Sequence, residues 1–217
     1  GQGILPPGSA GHIENERLIN RWDNLILSLN KFGSIQTKTI RNQNLIKNTI
    51  WAGDTHLIVD TGQLNYSLIM EGWLAHLQVC ASGLTFKKTT LLALKSSRHS
   101  SEKYEAALQW KWIGEKEATN ILTNLKELAH HGLNECWPIP PKSGWAYVIT
   151  QQKNPSKAIE AFNQSWVGNY KSKGEREKEE MRLCFGYKCE SSLITENKTF
   201  DENINALYKP IINTICS

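Results

Sequence analysis

Three short runs set cations beside aromatic rings, a combination that can hold phosphates while stacking bases. They are Phe86-Lys87-Lys88, Lys142-Ser143-Gly144-Trp145, and Tyr170-Lys171-Ser172-Lys173 with Arg176 just beyond. The simpler reading of each is an ordinary solvated loop. The third is opposed by Glu175, Glu177, Glu179 and Glu180, which cancel its field beyond a Debye length of about 8 Å. Trp110 and Trp112 stand two apart, on one face of an expected strand, and either fill the core or form a partner-docking patch. Trp22, Trp73 and Trp166 fall on apolar helix faces and are expected inside.

Metal and nucleophile chemistry finds little support. His130 and His131 are neighbours on a helix, pointing about 100° apart, and suit the negative end of the helix dipole better than one ion. The five cysteines, Cys80, Cys136, Cys184, Cys189 and Cys216, contain no CxxC pair, which argues against a zinc ribbon. Cys184 and Cys189 lack a redox motif, and Cys136 lacks an acid–base neighbour. Asp60 closes a strand, where it is either a metal ligand or a carboxylate satisfied by turn amides. No bound metal or cofactor is expected.

These side chains sit in a chain of 217 residues, 40% hydrophobic and 21% charged, which is globular rather than disordered. Its formal charge of +4 neither requires nor opposes a nucleic-acid partner, since only a local patch need be positive. The Gly1 start reads as a piece of a larger polypeptide, with no secretory leader. The cysteine usage fits a reducing cytoplasm. No apolar run approaches the ~20 residues that span a bilayer.

The elements are expected in a definite order. An extended lead-in over 1–12 precedes a helix from Glu14 to Leu29, whose Leu18, Trp22, Leu25, Ile26 and Leu29 share a face and which Gly33 stops. Strands follow over Ser34–Arg41, Leu45–Trp51 and, after a Gly53-Asp54 turn, Thr55–Asp60, as an antiparallel meander. A helix over Asn65–Cys80 leads to strands Phe86–Lys95 and Ala107–Ile113, with Ser96–Ser101 as an exposed tip. A strongly striped helix spans Glu115–His131, with Gly132 as its cap. A stiff Pro-rich connector covers 134–144, including Trp137 to Gly144. Asn154-Pro155 opens a helix to Trp166, Lys171–Glu180 reads as a solvated loop, and Asp201–Ile215 forms a last helix bent at Pro210. The whole is expected to form one domain.

Three stretches carry a resemblance. They are Gly3-Ile4-Leu5-Pro6-Pro7-Gly8 ahead of a helix; Trp73 to Gly83; and Trp137 to Trp145, followed by Lys157-Ala158, Trp166-Val167-Gly168 and Gly174-Glu175. In that order they resemble the C-terminal domain of the RecC family, the gamma subunits of exodeoxyribonuclease V (RecBCD). The resemblance implies an α/β fold of the restriction-endonuclease-like, PD-(D/E)xK type: a mixed sheet flanked by helices, similar to the nuclease domain of the sister RecB subunit. Helix, three strands, helix, strand is the core order of such folds, though other α/β folds share it. In active relatives a second-strand Asp and a third-strand Asp-x-Lys hold a divalent metal and activate water. Here the third strand reads Asp60-Thr61-Gly62, so Gly62 stands in the lysine position. The second-strand acid falls at Asn48 or Thr49.

The resemblance therefore implies lost catalysis and a role in DNA handling, strand separation and subunit docking in double-strand-break repair. The implied partners are RecB-type and RecD-type subunits, double-stranded DNA ends and forked DNA, with no membrane. DNA contacts are expected at Lys87, Lys88, Lys142, Trp145, Lys171, Lys173 and Arg176, and docking at Trp110 and Trp112. Two other readings stay open. One is an active metal-dependent nuclease using Asp54 and Asp60 in a migrated arrangement. The other is a protein-interaction module without DNA contact.

Overall fold

A computed structural model describes residues 8–42, 45–95, 103–134, 139–170 and 172–216. The chain divides into two compact units, Gly1–Glu115 with Cys216–Ser217, and Lys116–Ile215. The sequence expectations for 1–7, Ser96–Ser101, Cys136, Trp137-Pro138 and Lys171 lie outside the described residues.

The first unit runs α1 (Ser9–Asn30), β1 (Ile35–Asn42), β2 (Leu45–Ala52), β3 (Thr55–Gln63), α2 (Tyr66–Cys80), β4 (Lys88–Leu94) and β5 (Tyr104–Lys111). The strands form a mixed sheet in the order β1-β2-β3-β4-β5. The first three are an antiparallel meander, β4 lies parallel to β3, and β5 is antiparallel to β4. Gly53, at φ 59, makes the tight β2–β3 turn that an L side chain would strain. A parallel neighbour needs a crossover, and α2 supplies it. Asn65 starts α2 by accepting the Leu68 amide at 3.0 Å.

β4 is buried on both faces, as its run of Thr89 to Leu94 requires. Thr89 and Leu91 meet α2, through His76 and Gly72 respectively. Leu94 meets α1, in a cluster with Leu25, Leu29, Val59 and Tyr104. Leu91 pairs with Leu108 but Leu92 pairs with Ala106, so Ala107 is an extra residue. That bulge reverses the alternation of β5. Trp110 then points to α2 while Tyr104 points to α1.

Several expectations are corrected here. α1 begins at Ser9, so the last part of the 1–12 lead-in is helical. Trp22 is not core: it is 62% exposed on the outer side of α1, where only Leu25 of the predicted apolar face is fully buried. Trp110 is fully buried and cannot dock a partner. β5 ends at Lys111, so strand alternation does not tie Trp112 to its face.

The second unit contains α3 (Glu115–Asn134), α4 (Pro141–Lys153), a short 3-10 turn at Pro155–Lys157, α5 (Ala158–Val167), a small hairpin of β6 (Gly168–Asn169) and β7 (Ser172–Lys173), α6 (Glu179–Phe185), α7 (Ser191–Thr195) and α8 (Phe200–Thr214). Gly132 does not cap α3, which continues through it to Asn134. The 134–144 connector is likewise overturned at both ends, since Asn134 closes α3 and Pro141 to Gly144 form the first turn of α4. Pro140 is extended (φ −63, ψ 120) and Pro141 occupies a first-turn position, where its missing N–H costs nothing. Ala158, Phe162 and Trp166 line the buried side of α5 as expected. Pro210 lies inside α8.

Candidate functional site

The sheet opens between β2 and β3. β2 stays paired with β1 along its whole length, from Leu45 to Ala52. Its pairing with β3 is confined to Ile50–Ala52 against Thr55–Leu57. The outer half of the β1–β2 hairpin therefore leaves the sheet as a two-stranded ribbon. A groove of about 130 Å³ lies at the divergence, lined by Lys47, Asn48 and Thr49 from β2, His56 to Ile58 from β3, and Ala75 and Gln78 from α2.

Asn48 and Thr49 are already committed within the ribbon. Thr39 Oγ donates to Asn48 Oδ1 at 2.8 Å. Thr49 Oγ donates to the Lys38 carbonyl and accepts from Trp51 Nε1, both at 2.8 Å. Neither brings a carboxylate to the opening.

Asp60 and Gly62 sit in an irregularity of β3. Val59 pairs with Leu92 and Gln63 with Leu94, so Asp60-Thr61-Gly62 bulges out of the β3–β4 ladder. Bulges re-aim side chains next to sites. Here Asp60 Oδ1 turns back and accepts the Gly62 N–H at 2.6 Å. The geometry matches a carboxylate satisfied by a turn amide. Asp54 lies in the β2–β3 turn, at the other end of β3. Six residues of extended strand place it about 20 Å from Asp60, too far to share an ion. Among the described residues no group of three or more His, Cys, Asp or Glu could hold a metal.

Beneath the sheet, on the α2 side, lies a polar cluster that sequence reasoning missed. His56 Nδ1 and His76 Nδ1 both approach Thr89 Oγ, at 3.1 and 2.8 Å, and all three residues are buried. One hydroxyl has one proton, so it donates to one ring and accepts from the other. The two imidazoles must therefore hold opposite tautomers. Cys80 Sγ stands 3.6 Å from His76 Nε2. Trp51, Phe86, Trp73 and Trp110 wall the cluster. Burial pushes the His56 pKa down to about 4, assisted by the Lys47 cation. Burial pushes that of His76 down to about 3, with His56 adding to the effect. Both rings are neutral at physiological pH and serve the core. The signal was the pairing of His56 and Thr89 opposite each other in two parallel strands, legible only once register is known.

The cationic candidates separate by unit. In the first, Lys87 is exposed and Lys88 Nζ donates to Gln109 Oε1 at 3.0 Å. In the second, Lys142 and Lys173 are exposed and Arg176 is half-buried, while Glu175 between them is engaged with the backbone of Lys142. Glu175 is only 1% exposed, against the solvated loop expected for Lys171–Glu180. Its carboxylate accepts the Lys142 and Ser143 amides at 2.8 and 2.6 Å, which satisfies the N-terminus of α4. Arg176 Nε is 3.7 Å from Glu177. Trp145 meets Tyr208 edge-on, 5.8 Å between centroids, and is half-buried. The ribbon supplies cations that the sequence reading passed over. Lys38, Arg41 and Lys47 are exposed, and no acidic residue lies between Ile35 and Ala52.

The first unit is thus a five-stranded mixed α/β scaffold with helices on its two faces, opened at the β2–β3 divergence, with no metal-ligand set among its described residues. The chain belongs to the RecC C-terminal domain family, whose model matches residues 1–152. RecC is the gamma subunit of RecBCD, a DNA-repair complex that contains further subunits. No curated protein matches the chain. Among the described residues no helix is long and apolar enough to cross a membrane.

Proposed function

We propose that this is a non-catalytic, nuclease-like domain that handles DNA and docks companion subunits. One observation carries the reading. At the sheet opening where a nuclease of this architecture would seat its metal, the acid set is broken. Asp60 is spent on Gly62, the lysine position is Gly62 itself, and Asn48 and Thr49 hold the second-strand position. A divalent ion offered one half-buried carboxylate keeps most of its water and binds poorly.

DNA handling is supported by the ribbon. A two-stranded β-ribbon fits the major groove, and three exposed cations without a neighbouring acid suit a phosphate backbone. Docking is supported by α1, whose Ile13, Leu18, Ile19, Trp22, Ile26 and Leu27 are exposed. With Thr61 and Tyr104, part of this row lines a groove of about 460 Å³. A contiguous exposed apolar surface of this kind marks a protein contact.

The test has two arms. Linear DNA incubated with the chain and Mg²⁺ or Mn²⁺ stays intact, and Asp60→Ala changes nothing. Metal-dependent degradation abolished by Asp60→Ala would establish an active nuclease instead. In the second arm, companion helicase subunits are pulled down with and without a forked duplex. Retention of companions but not of DNA at low salt, where electrostatic binding is strongest, identifies a pure interaction module. Retention of neither removes both roles.

A further inference from the structure

We infer that the outer face of α1 is the docking seat for a partner's amphipathic helix that carries a row of Lys or Arg beside its apolar stripe. This seat deepens the docking reading above, on which it rests.

The seat follows from helix geometry. At about 100° per residue, Leu25, Leu18, Leu29, Trp22, Ile26 and Ile19 follow one another round an arc of about 120°. Asn15 is the one polar side chain of α1 inside it. An apolar stripe of that width normally faces a core. Here the sheet takes up only one edge. Leu25 and Leu29 pack with Leu94, Tyr104 and Val59, and Ser28 Oγ donates to the Tyr104 carbonyl at 3.0 Å. The rest of the arc, Leu18, Trp22, Ile26 and Ile19, is exposed. Ile19, Trp22 and Ile26 recur at steps of three and four and form a ridge along α1. On its sheet side Leu18, Trp22 and Leu25 share the groove of about 460 Å³ with Thr61 and Tyr104.

Charge decides the kind of helix. Beyond Ile19 the rim of the arc carries Glu16 and Asp23, both exposed. They stand seven residues apart, one heptad, and so lie one above the other. Neither has an ion-pair partner among the described residues. The arginines of α1, Arg17 and Arg21, lie on the opposite rim, and Arg17 is paired with Glu14 at 3.5 Å. His12 stands one turn before Glu16. A partner helix laid along the ridge sets its own flank over Glu16 and Asp23, where Lys or Arg at heptad spacing finds two unpaired carboxylates. The same acids repel DNA from this face. A second copy of the chain fits less well: in an isologous antiparallel pair each rim meets itself, acid against acid. Trp22, the largest side chain on the ridge, is the anchor.

The experiment uses the full chain, the companion helicase subunits, and two synthetic amphipathic peptides of about four heptads, alike except for Lys or Glu flanking their Leu stripe. The parent is expected to prefer the Lys-flanked peptide. Glu16→Lys/Asp23→Lys should lower affinity for that peptide on the order of tenfold and raise it for the Glu-flanked one, the difference shrinking as salt rises. Trp22→Ala should weaken both the Lys-flanked peptide and companion retention on the order of tenfold or more. Its urea midpoint should match the parent's, because the ring is already exposed to solvent. If the parent retains the companions and both variants retain them equally well, the seat is overturned while docking stands. Equal binding of the two peptides by the parent also overturns it. A dimer of the chain in sedimentation that Trp22→Ala dissolves would assign the ridge to a second copy instead. If the parent retains no companion and binds neither peptide, the seat and the docking reading both fall.

Discussion

Acidification should unlock the first unit through its buried histidines. In the unfolded chain each imidazole titrates near 6.5. In the fold, burial depresses His56 to about 4 and His76 to about 3. Depressed folded values mean that the unfolded chain takes up protons the fold refuses. The stabilisation is complete above pH 6.5 and is lost progressively as pH falls toward the folded values. At pH 5 the unfolded rings are 1.5 pH units below their midpoint, at about 1.4 kcal/mol per unit, so each ring costs about 2 kcal/mol and the pair about 4 kcal/mol. Domains of this size are stable by only about 5–15 kcal/mol, so the loss is a large fraction of the total. Protonating the ring whose Nδ1 accepts from Thr89 also breaks the shared arrangement, since that nitrogen can no longer take the hydroxyl proton. Urea denaturation at several pH values between 8 and 5 measures the effect, in a window above the titration of ordinary carboxylates. His56→Gln/His76→Gln should flatten the pH dependence even if it lowers stability overall. A urea midpoint indifferent to pH across this window, or a double variant that keeps the full slope, would refute the reasoning.

Removing the carboxylate of Glu175 leaves the Lys142 and Ser143 amides bare at a buried helix start, so Glu175→Ala should cost about 3 kcal/mol by thermal denaturation, with Glu175→Gln in between. Gly144→Ala places a methyl 3.0 Å from Tyr208 and 3.1 Å from Ile204, and overpacking there should destabilise by about 1–3 kcal/mol, read by urea midpoint. Trp110→Ala should cost about 3–5 kcal/mol in the same assay, since the ring is fully buried against Trp73 and Gly72. Asp60→Ala should cost no more than about 1 kcal/mol, because its carboxylate is engaged with the single Gly62 amide that closes the bulge.

The order of elements in the first unit was legible because its signals are local. Periodicity at Leu18–Leu29, the Gly53-Asp54 turn and the β-branched run from Thr55 each name their own structure. What escaped depends on register. The Ala107 bulge separates Tyr104 from Trp110, and no periodicity announces it. Trp22 was expected inside because an apolar stripe on a helix usually faces a core, yet much of this one faces out. The proline-rich run misled for a different reason: Pro140 and Pro141 end one conformation and begin another, and a first-turn proline reads the same as an extended one. Glu175 lay in a run of charges that favoured solvent, and only the approach of the α4 amides shows why it is buried.

The broken acid set and the open sheet have separate causes, and this matters for what the domain can do. β2 leaves β3 because their pairing stops at Ile50, and the bulge at Asp60–Gly62 is closed by its own hydrogen bond. The ribbon is presented independently of that acid set, since the geometry that frees it is the pairing of β2 with β1 alone. An acid at Thr49 would lose the donation to the Lys38 carbonyl, an acid at Asn48 would still accept the Thr39 hydroxyl, and in either case Asp60 would have to give up the Gly62 amide. On the reading proposed above, the arrangement sustains binding without calling on the missing acids.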